Sequence, residues 1–401
     1  MENNKIYVSL ANKYRPKIFD EIIGQSILVK TLKSAIDLDN LANVFLFSGP
    51  YGTGKTTTAR VLAASINCLD RKNHNSCLEC KSCIAIKKSA HPDVCEIDAA
   101  SNTGVDDVRT IIENSIYLPV LSKFKIYIID EVHMLSQSAF NALLKTLEEP
   151  KSHVKFFLAT TELNKIPMTV KSRCQHFQLT RPNNNIISSH IKKIAELEKI
   201  NISQDAVDFI AENSYGSLRD ALSILEQGNN YNKNMEITKE SMKDILGIIS
   251  DDDSRYITEK IIQGNCNECL LSFDQLYKKG YDPIIIFEEI IKILHQLIKN
   301  VLSGESTENL NIEFLSRILK SLMVGIQDVK NSINHFISAE ILLIRLCFLK
   351  NLPSPAELIQ NSPDYSSFQN NKNNDNIKAA YSDKNLSERV LAEFKGSKII
   401  D

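Results

Sequence analysis

The sequence VFLFSGPYGTGKTTTARVLAASI, residues 44–66, decides the fold. "VFLFS" is a short, wholly apolar run of strand-forming residues and "TTTARVLAASI" has helical composition. Between them "GPYGTGKT", Gly49–Thr56, fits the Gly-x4-Gly-Lys-Ser/Thr pattern. Context carries more weight than the pattern. A strand, a glycine-rich loop and a helix N-terminus in succession turn backbone N–H groups around an anion, and the helix dipole adds its positive end. Gly49, Pro50, Tyr51, Gly52, Thr53 and Gly54 are expected to cradle the phosphates of ATP. Lys55 reaches the β and γ phosphates, Thr56 ligates Mg²⁺, and Thr57 continues the wall of the site.

Working outward, "DVCEID" (93–98), "KIYIID" (125–130) and "KFFLATT" (155–161) are further apolar or β-rich runs, each followed by turn residues. Buried parallel strands with crossover helices, an α/β sheet domain, follow from this rhythm. The strand KIYIID ends in Asp130 and Glu131. Two adjacent carboxylates ending a buried strand are costly unless used; Asp130 suits the Mg²⁺ shell and Glu131 the attacking water. "DEVH", residues 130–133, also matches a DExH helicase box, a reading that requires a second ATPase lobe. For His133 alone, packing or a local hydrogen bond is the expectation. Thr160 and Thr161 end the next strand, where a hydroxyl can meet the γ phosphate or the water. Arg173, in "SRC", reads by itself as surface charge. Arg219 follows Ser217, a helix cap with Asp220 at the third helical position, and can fold onto the nucleotide.

Beyond Arg181-Pro182 strand signals stop and helical patterns take over. "DPIIIFEEIIKILHQLIKNVL" offers Asp282 as cap, Pro283 at the first helical position and an apolar stripe Ile286, Ile290, Ile293, Leu297, Val301. "NHFISAEILLIRLCFL" is apolar around most of its circumference, suited to a bundle centre or a subunit interface. After residue 352 the Asn/Ser/Lys-rich chain reads as a linker, largely disordered, with a short helix and strand at "ERVLAEFKGSKII". At 401 residues the chain needs two or three domains. A net charge of -2 excludes a whole-surface basic field for nucleic acid, so any DNA contact is local. No apolar run is long enough for a membrane, and neither a signal nor a transit peptide is evident, so a cytoplasmic protein is expected. Nine cysteines in a reducing compartment favour metal over disulfides. Four of them, Cys68, Cys77, Cys80 and Cys83, share one short polar stretch. Zn²⁺ is the preferred ligand, with an iron–sulfur cluster or free thiols as alternatives. His74 reads as solvent-facing, Cys266 and Cys269 as two thiols on one helix face, and Cys95, Cys174 and Cys347 as packed.

The strings "IIDEVHMLSQSAFNALLKTLEEP", "FFLATTELNKIPMTVKSRCQHF" and "GSLRDALSILEQ" closely resemble the gamma/tau family of bacterial DNA polymerase III subunits, AAA+ ATPases of the clamp loader. The resemblance runs from "KYRPKIFDEIIGQ" near residue 13 to "AEILLIRLCFLKNLPSP" near 355. It implies an AAA+ P-loop domain over residues 1–180 with a zinc module at 67–84, a helical lid at 181–242 and a helical collar at 243–352. It implies that Tyr14, Arg15, Gly24 and Gln25 hold adenine and ribose, that Thr160 or Thr161 is a sensor, and that Arg219 is the lid sensor. Arg173 becomes an arginine finger for the neighbouring subunit's site, and the four cysteines match the family's zinc module. Implied partners are delta and delta-prime in a pentameric ring, the beta sliding clamp and primed DNA held by its phosphates, in a nucleoid-associated setting. Through the tail, the polymerase alpha subunit and the replicative helicase are added. A non-hydrolysing assembly subunit and a DExH helicase stand as the alternatives.

Overall fold

The computed structural model describes residues 7–232, 235–304 and 311–351, and the chain divides into two compact units, one ending at Leu246 and the other beginning at Gly247. In the first unit five parallel strands, β1 (Val44–Ser48), β2 (Val94–Asp98), β3 (Lys125–Asp130), β4 (Val154–Thr160) and β5 (Gln175–Gln178), lie in the order β2-β3-β4-β1-β5. The loop Gly49–Thr56 therefore leaves the sheet from an interior strand. In register, Ser48 lies opposite Thr160 on one side and Gln178 on the other, while Asp98 lies opposite Asp130. The ends of β1, β3 and β4 are thus brought level, which is where ligands meet open parallel sheets.

Strand alternation builds two cores from one sheet. Leu46, Tyr127, Ile129, Phe156 and Leu158 pack with the helices Val105–Ser115 and Gln137–Glu148 on one face. Phe45, Phe47, Ile126, Ile128 and Phe157 pack with Ser26–Asp37 and Lys55–Ile66 on the other. Phe45, Phe47, Phe156 and Phe157 are all essentially solvent-free. Each contributes roughly 1.5–3 kcal/mol by its burial, so the centre of the sheet is the most strongly anchored part of the site's platform. β5 is the strand the sequence reading lacks: QHFQ is short, polar and exposed, an edge strand that pairs only with β1 and has no apolar run to announce it.

The helices Asn184–Glu198, Gln204–Asn213 and Leu218–Asn232 follow the sheet. Lys239–Leu246, which the sequence reading divides between lid and third domain, packs on the last two of these and stays in the first unit. The second unit is helical among its described residues. Pro283–Leu302 starts as expected, with Asp282 Oδ1 accepting from the Ile284 N–H at 2.7 Å. Its buried stripe is Ile286, Phe287, Ile290 and Leu294, one position off the expected Ile293. Ile312–Asn331 crosses His335–Phe348 at Gly325, where an added Cβ would lie 2.2 Å from a Leu342 methyl. His335–Phe348 buries one face and leaves Ile337, Ile341 and Phe348 exposed. Among the described residues no helix is long and apolar enough to cross a membrane. The expected linker and short terminal elements after residue 352 lie outside the described residues.

Candidate functional site

The loop between β1 and the helix Lys55–Ile66 is shaped by glycine. Gly54 caps the helix with φ +95°, a left-handed conformation in which any side chain is strained. Gly52 has φ +74° and lies against the start of Leu218–Asn232, so closely that a Cβ would fall 1.8 Å from Ser217 Oγ. Lys55 is 5% exposed, with Nζ donating to the carbonyls of Gly49 and Pro50 at 3.0 Å each. Burial lowers its pKa, and the charges of the Glu131 and Asp130 carboxylates oppose that shift. Thr56 Oγ1 donates to Asp130 Oδ2 at 2.6 Å, joining the loop to the end of β3. The two groups assigned to one metal ion from separate strings of sequence therefore touch.

Glu131 follows with φ +45°, a left-handed turn that swings its carboxylate away from β3 and toward the end of β4. Its Oε2 accepts from the Thr161 N–H at 3.1 Å and the Thr161 hydroxyl at 2.9 Å. Thr160 differs: it is fully buried, and its Oγ1 meets His133 Nδ1 at 3.1 Å and accepts from the Glu162 N–H at 3.1 Å. Of the two threonines it is Thr161 whose hydroxyl reaches Glu131, because successive side chains at a strand end leave on opposite sides.

A pocket connects the loop with the N-terminal segment and the lid helices; Tyr14, Arg15, Gly52 to Thr58, Asp130, Glu131 and Arg219 all line it. Arg219 donates from Nη1 to Tyr51 Oη at 2.8 Å and stacks over the same ring. Ser217 Oγ accepts from the Asp220 N–H at 3.2 Å, the expected cap, which fixes the first turn carrying Arg219. Arg15 is pushed below the usual arginine range by burial first, then by Arg60, with Glu96 opposing and Arg219 adding to the shift. Two guanidiniums, Arg15 and Arg219, in one pocket suit a polyanion. Tyr14 bonds through its hydroxyl to Glu198, and burial and that carboxylate raise its pKa to about 12.

Gly24 and Gln25 are placed differently from the expectation. Gln25 exchanges amide bonds with the Thr180 peptide, and Gly24 lies against Pro182, so both brace the crossing into the lid while Ile22 and Ile23 line the pocket. His190, on the helix Asn184–Glu198, lines the pocket unannounced by any motif; a single histidine in an amphipathic stripe gives no sequence signal. Arg173 is not among the lining residues. It pairs through Nη2 with Glu148, at the C-terminal end of the helix Gln137–Glu148, and donates to Thr169 O.

The four cysteines come together. The Sγ atoms of Cys68, Cys77, Cys80 and Cys83 lie within 4.8 Å of one another, with Cys77 and Cys83 at 4.0 Å. Sulfurs about 2.3 Å from a tetrahedral metal stand roughly 3.8 Å apart, so the cluster fits such an ion. Backbone N–H groups of Cys77, Cys80 and Cys83 donate to the sulfurs of Cys68, Cys77 and Cys80 at 3.3, 3.3 and 3.4 Å. Burial opposes ionisation of Cys80, but N–H donors led by that of Cys83 bring it down to about 6. His74 stands apart, against Asp37 at 3.3 Å. The helix Lys81–Lys87 grows out of the cluster, and its Ser82 bonds at 3.0 Å to buried His91. The same His91 Nε2 meets Ser122 Oγ at 3.0 Å, and Asp93 accepts from the N–H groups of Val120, Leu121 and Ser122.

Three family models match in succession: "DNA polymerase III, delta subunit" over residues 24–183, "DNA polymerase III clamp loader subunit, ATPase lid domain" over 186–231, and "DNA polymerase III subunits gamma and tau domain III" over 237–361. DNA polymerase III subunit gamma of Buchnera aphidicola subsp. Baizongia pistaciae is 40% identical, covering 73% of this chain and 78% of that protein. The gamma subunit of Buchnera aphidicola subsp. Schizaphis graminum is 35% identical over 84% of this chain and 98% of its own length. Longer relatives are only partly spanned: the chain covers 58% of the Haemophilus influenzae tau/gamma subunit, at 35% identity, and 50% of the Bacillus subtilis tau subunit, at 39%. With the parallel sheet, the loop, the paired carboxylates and the lid arginine in place, the chain belongs to the gamma/tau family of DNA polymerase III subunits, an AAA+ P-loop ATPase domain followed by a helical lid and a helical collar.

Proposed function

We propose that this chain is the ATPase motor subunit of a DNA polymerase III clamp loader, binding and hydrolysing ATP to load a sliding clamp onto primed DNA. The observation that carries this is the contact of Thr56 Oγ1 with Asp130 Oδ2 at 2.6 Å, beside buried Lys55 and with Glu131 next in the chain, in a gamma/tau family member. When ATP is bound, Mg²⁺ supplies charge neutralisation between its phosphates, and Thr56 and Asp130 are the residues that would hold it. The loop N–H groups from Tyr51 to Thr57 and the Lys55 ammonium hold the phosphates. Glu131, tied to Thr161, orients or deprotonates the attacking water. Arg219 senses the nucleotide from the lid, and Tyr14 and Arg15 face the nucleoside end. The four cysteines would hold Zn²⁺, which serves a segment too small and polar to build its own core.

Family membership supports assembly with other clamp-loader subunits and action on a clamp. A ring of five with delta and delta-prime, the beta clamp and phosphate-held primed DNA completes the proposal, in the cytoplasm beside the nucleoid. Contacts of the tail with polymerase alpha or the replicative helicase rest on residues outside the described structure. The helicase alternative needs a second ATPase lobe; among the described residues after 183 there are only helices and an isolated bridge. The non-hydrolysing alternative is opposed by the complete set of Lys55, Thr56, Asp130 and Glu131. Phosphate release by the reconstituted complex with clamp and primed DNA tests the proposal. Glu131→Gln should retain ATP binding and lose hydrolysis, and a variant with undiminished turnover would refute it.

A further inference from the structure

His133 lies on the turn Val132–Met134 immediately after Glu131, with its side chain only 6% exposed. Its imidazole is placed between two carboxylates: Nδ1 is 3.3 Å from Glu131 Oε2, and Nε2 is 3.4 Å from Glu162 Oε1. The ring is fixed from the β4 side. Nδ1 also meets Thr160 Oγ1 at 3.1 Å, Thr160 Oγ1 accepts from the Glu162 N–H, and Lys165 holds the Glu162 carboxylate at 2.8 Å. Glu131 Oε2, the oxygen His133 approaches, is the one that accepts both Thr161 bonds.

A glutamate has several rotatable bonds, and a base that swings among rotamers is rarely aligned with its water. The left-handed backbone at Glu131 sets where the side chain starts, not where its carboxylate ends. From this geometry we infer that His133 is a positioning residue for hydrolysis: its imidazole, hydrogen-bonded at Nδ1 to Thr160 Oγ1, stands 3.3 Å from Glu131 Oε2 and with Thr161 confines that carboxylate, while Glu162 faces the other ring nitrogen. The inference rests on the assignment of Glu131 to the attacking water. It also gives Thr160 a part in the site through the imidazole, although its hydroxyl does not reach Glu131.

Isosteric replacements separate the two ring nitrogens. An asparagine amide nitrogen falls near the position of Nδ1, and a glutamine amide nitrogen near that of Nε2. In the assembled loader with clamp and primed DNA, His133→Leu should lower kcat by about tenfold or more, in the range seen when groups orienting reactive ligands are removed. Nucleotide affinity and thermal unfolding of the same variant should match wild type. His133→Asn should recover most of the lost turnover and His133→Gln should not. Wild-type kcat in His133→Leu, a parallel loss of affinity, stability and turnover, or equal recovery by Asn and Gln would each overturn the inference. Glu131→Gln measured alongside separates this from the function itself. Its inactivity beside a fully active His133→Leu refutes only the positioning role, whereas an active Glu131→Gln removes the basis of both.

Discussion

Gly52 shows how much of this site depends on a single missing carbon. The phosphate loop and the lid meet there, and the meeting is close only because no Cβ intervenes. In Gly52→Ala the new methyl group must displace Ser217, and with it the first turn that presents Arg219 to Tyr51, while the backbone remains in a left-handed conformation. Strain of about 1–3 kcal/mol is expected at such a position. The variant should unfold at lower temperature and bind ATP more weakly, measurable by thermal melts and nucleotide titration; wild-type affinity would show that the lid is not seated on the loop in solution. At this scale the sequence was legible where a motif ties residue type to chemistry, as at Lys55, Thr56 and Asp130. It was not legible at Thr160 and Thr161, neighbours of identical chemistry that a strand end sends to different partners.

The cysteine module is the element whose purpose the structure makes easiest to test. Its helix Lys81–Lys87 reaches through Ser82 to His91, and His91 accepts at Nδ1 from the Asp93 N–H at 3.0 Å, which leaves Nε2 to donate toward Ser82 or Ser122. Asp93 in turn holds the turn 120–122, in a stretch where Ile116, Tyr117, Leu118, Val120 and Leu121 are all exposed. A module held by metal should therefore steady that stretch. Chelation should release residues 68–83 and increase hydrogen exchange at the amides of Val120, Leu121 and Ser122, while β3, locked between two neighbouring strands, keeps its protection. Unchanged exchange at those three amides would contradict this. Strands β1 to β4 and the long helices were readable as elements because their apolar residues recur at the proper period. The edge strand β5 was not, since of its four residues only Phe177 packs on the core and the three exposed polar ones leave no apolar run.

Across the whole molecule the placement of Arg173 matters most. Its guanidinium pairs with Glu148 and lies outside the pocket that holds Lys55 and Asp130, so within its own chain it makes no contribution to phosphate binding. If it completes a neighbour's site, Arg173→Ala should leave ATP binding by the isolated chain unchanged and reduce hydrolysis by the assembled complex by on the order of 10³ or more. A complex that keeps its turnover without Arg173 would place the stimulating cation elsewhere.

The sequence by itself determined the phosphate loop, the carboxylate pair, the cysteine quartet and the helical character of the described residues after the sheet. Each is set by local rules: glycine where φ must be positive, a donor or ligand at fixed spacing, apolar residues at the period of the element. Only the tertiary structure decided which groups meet. Thr56 with Asp130, Gly52 with Ser217 and Glu131 with Thr161 are separated by long stretches of chain and joined by strand order and register. Such contacts depend on how the whole sheet packs, and no short window of sequence contains that information.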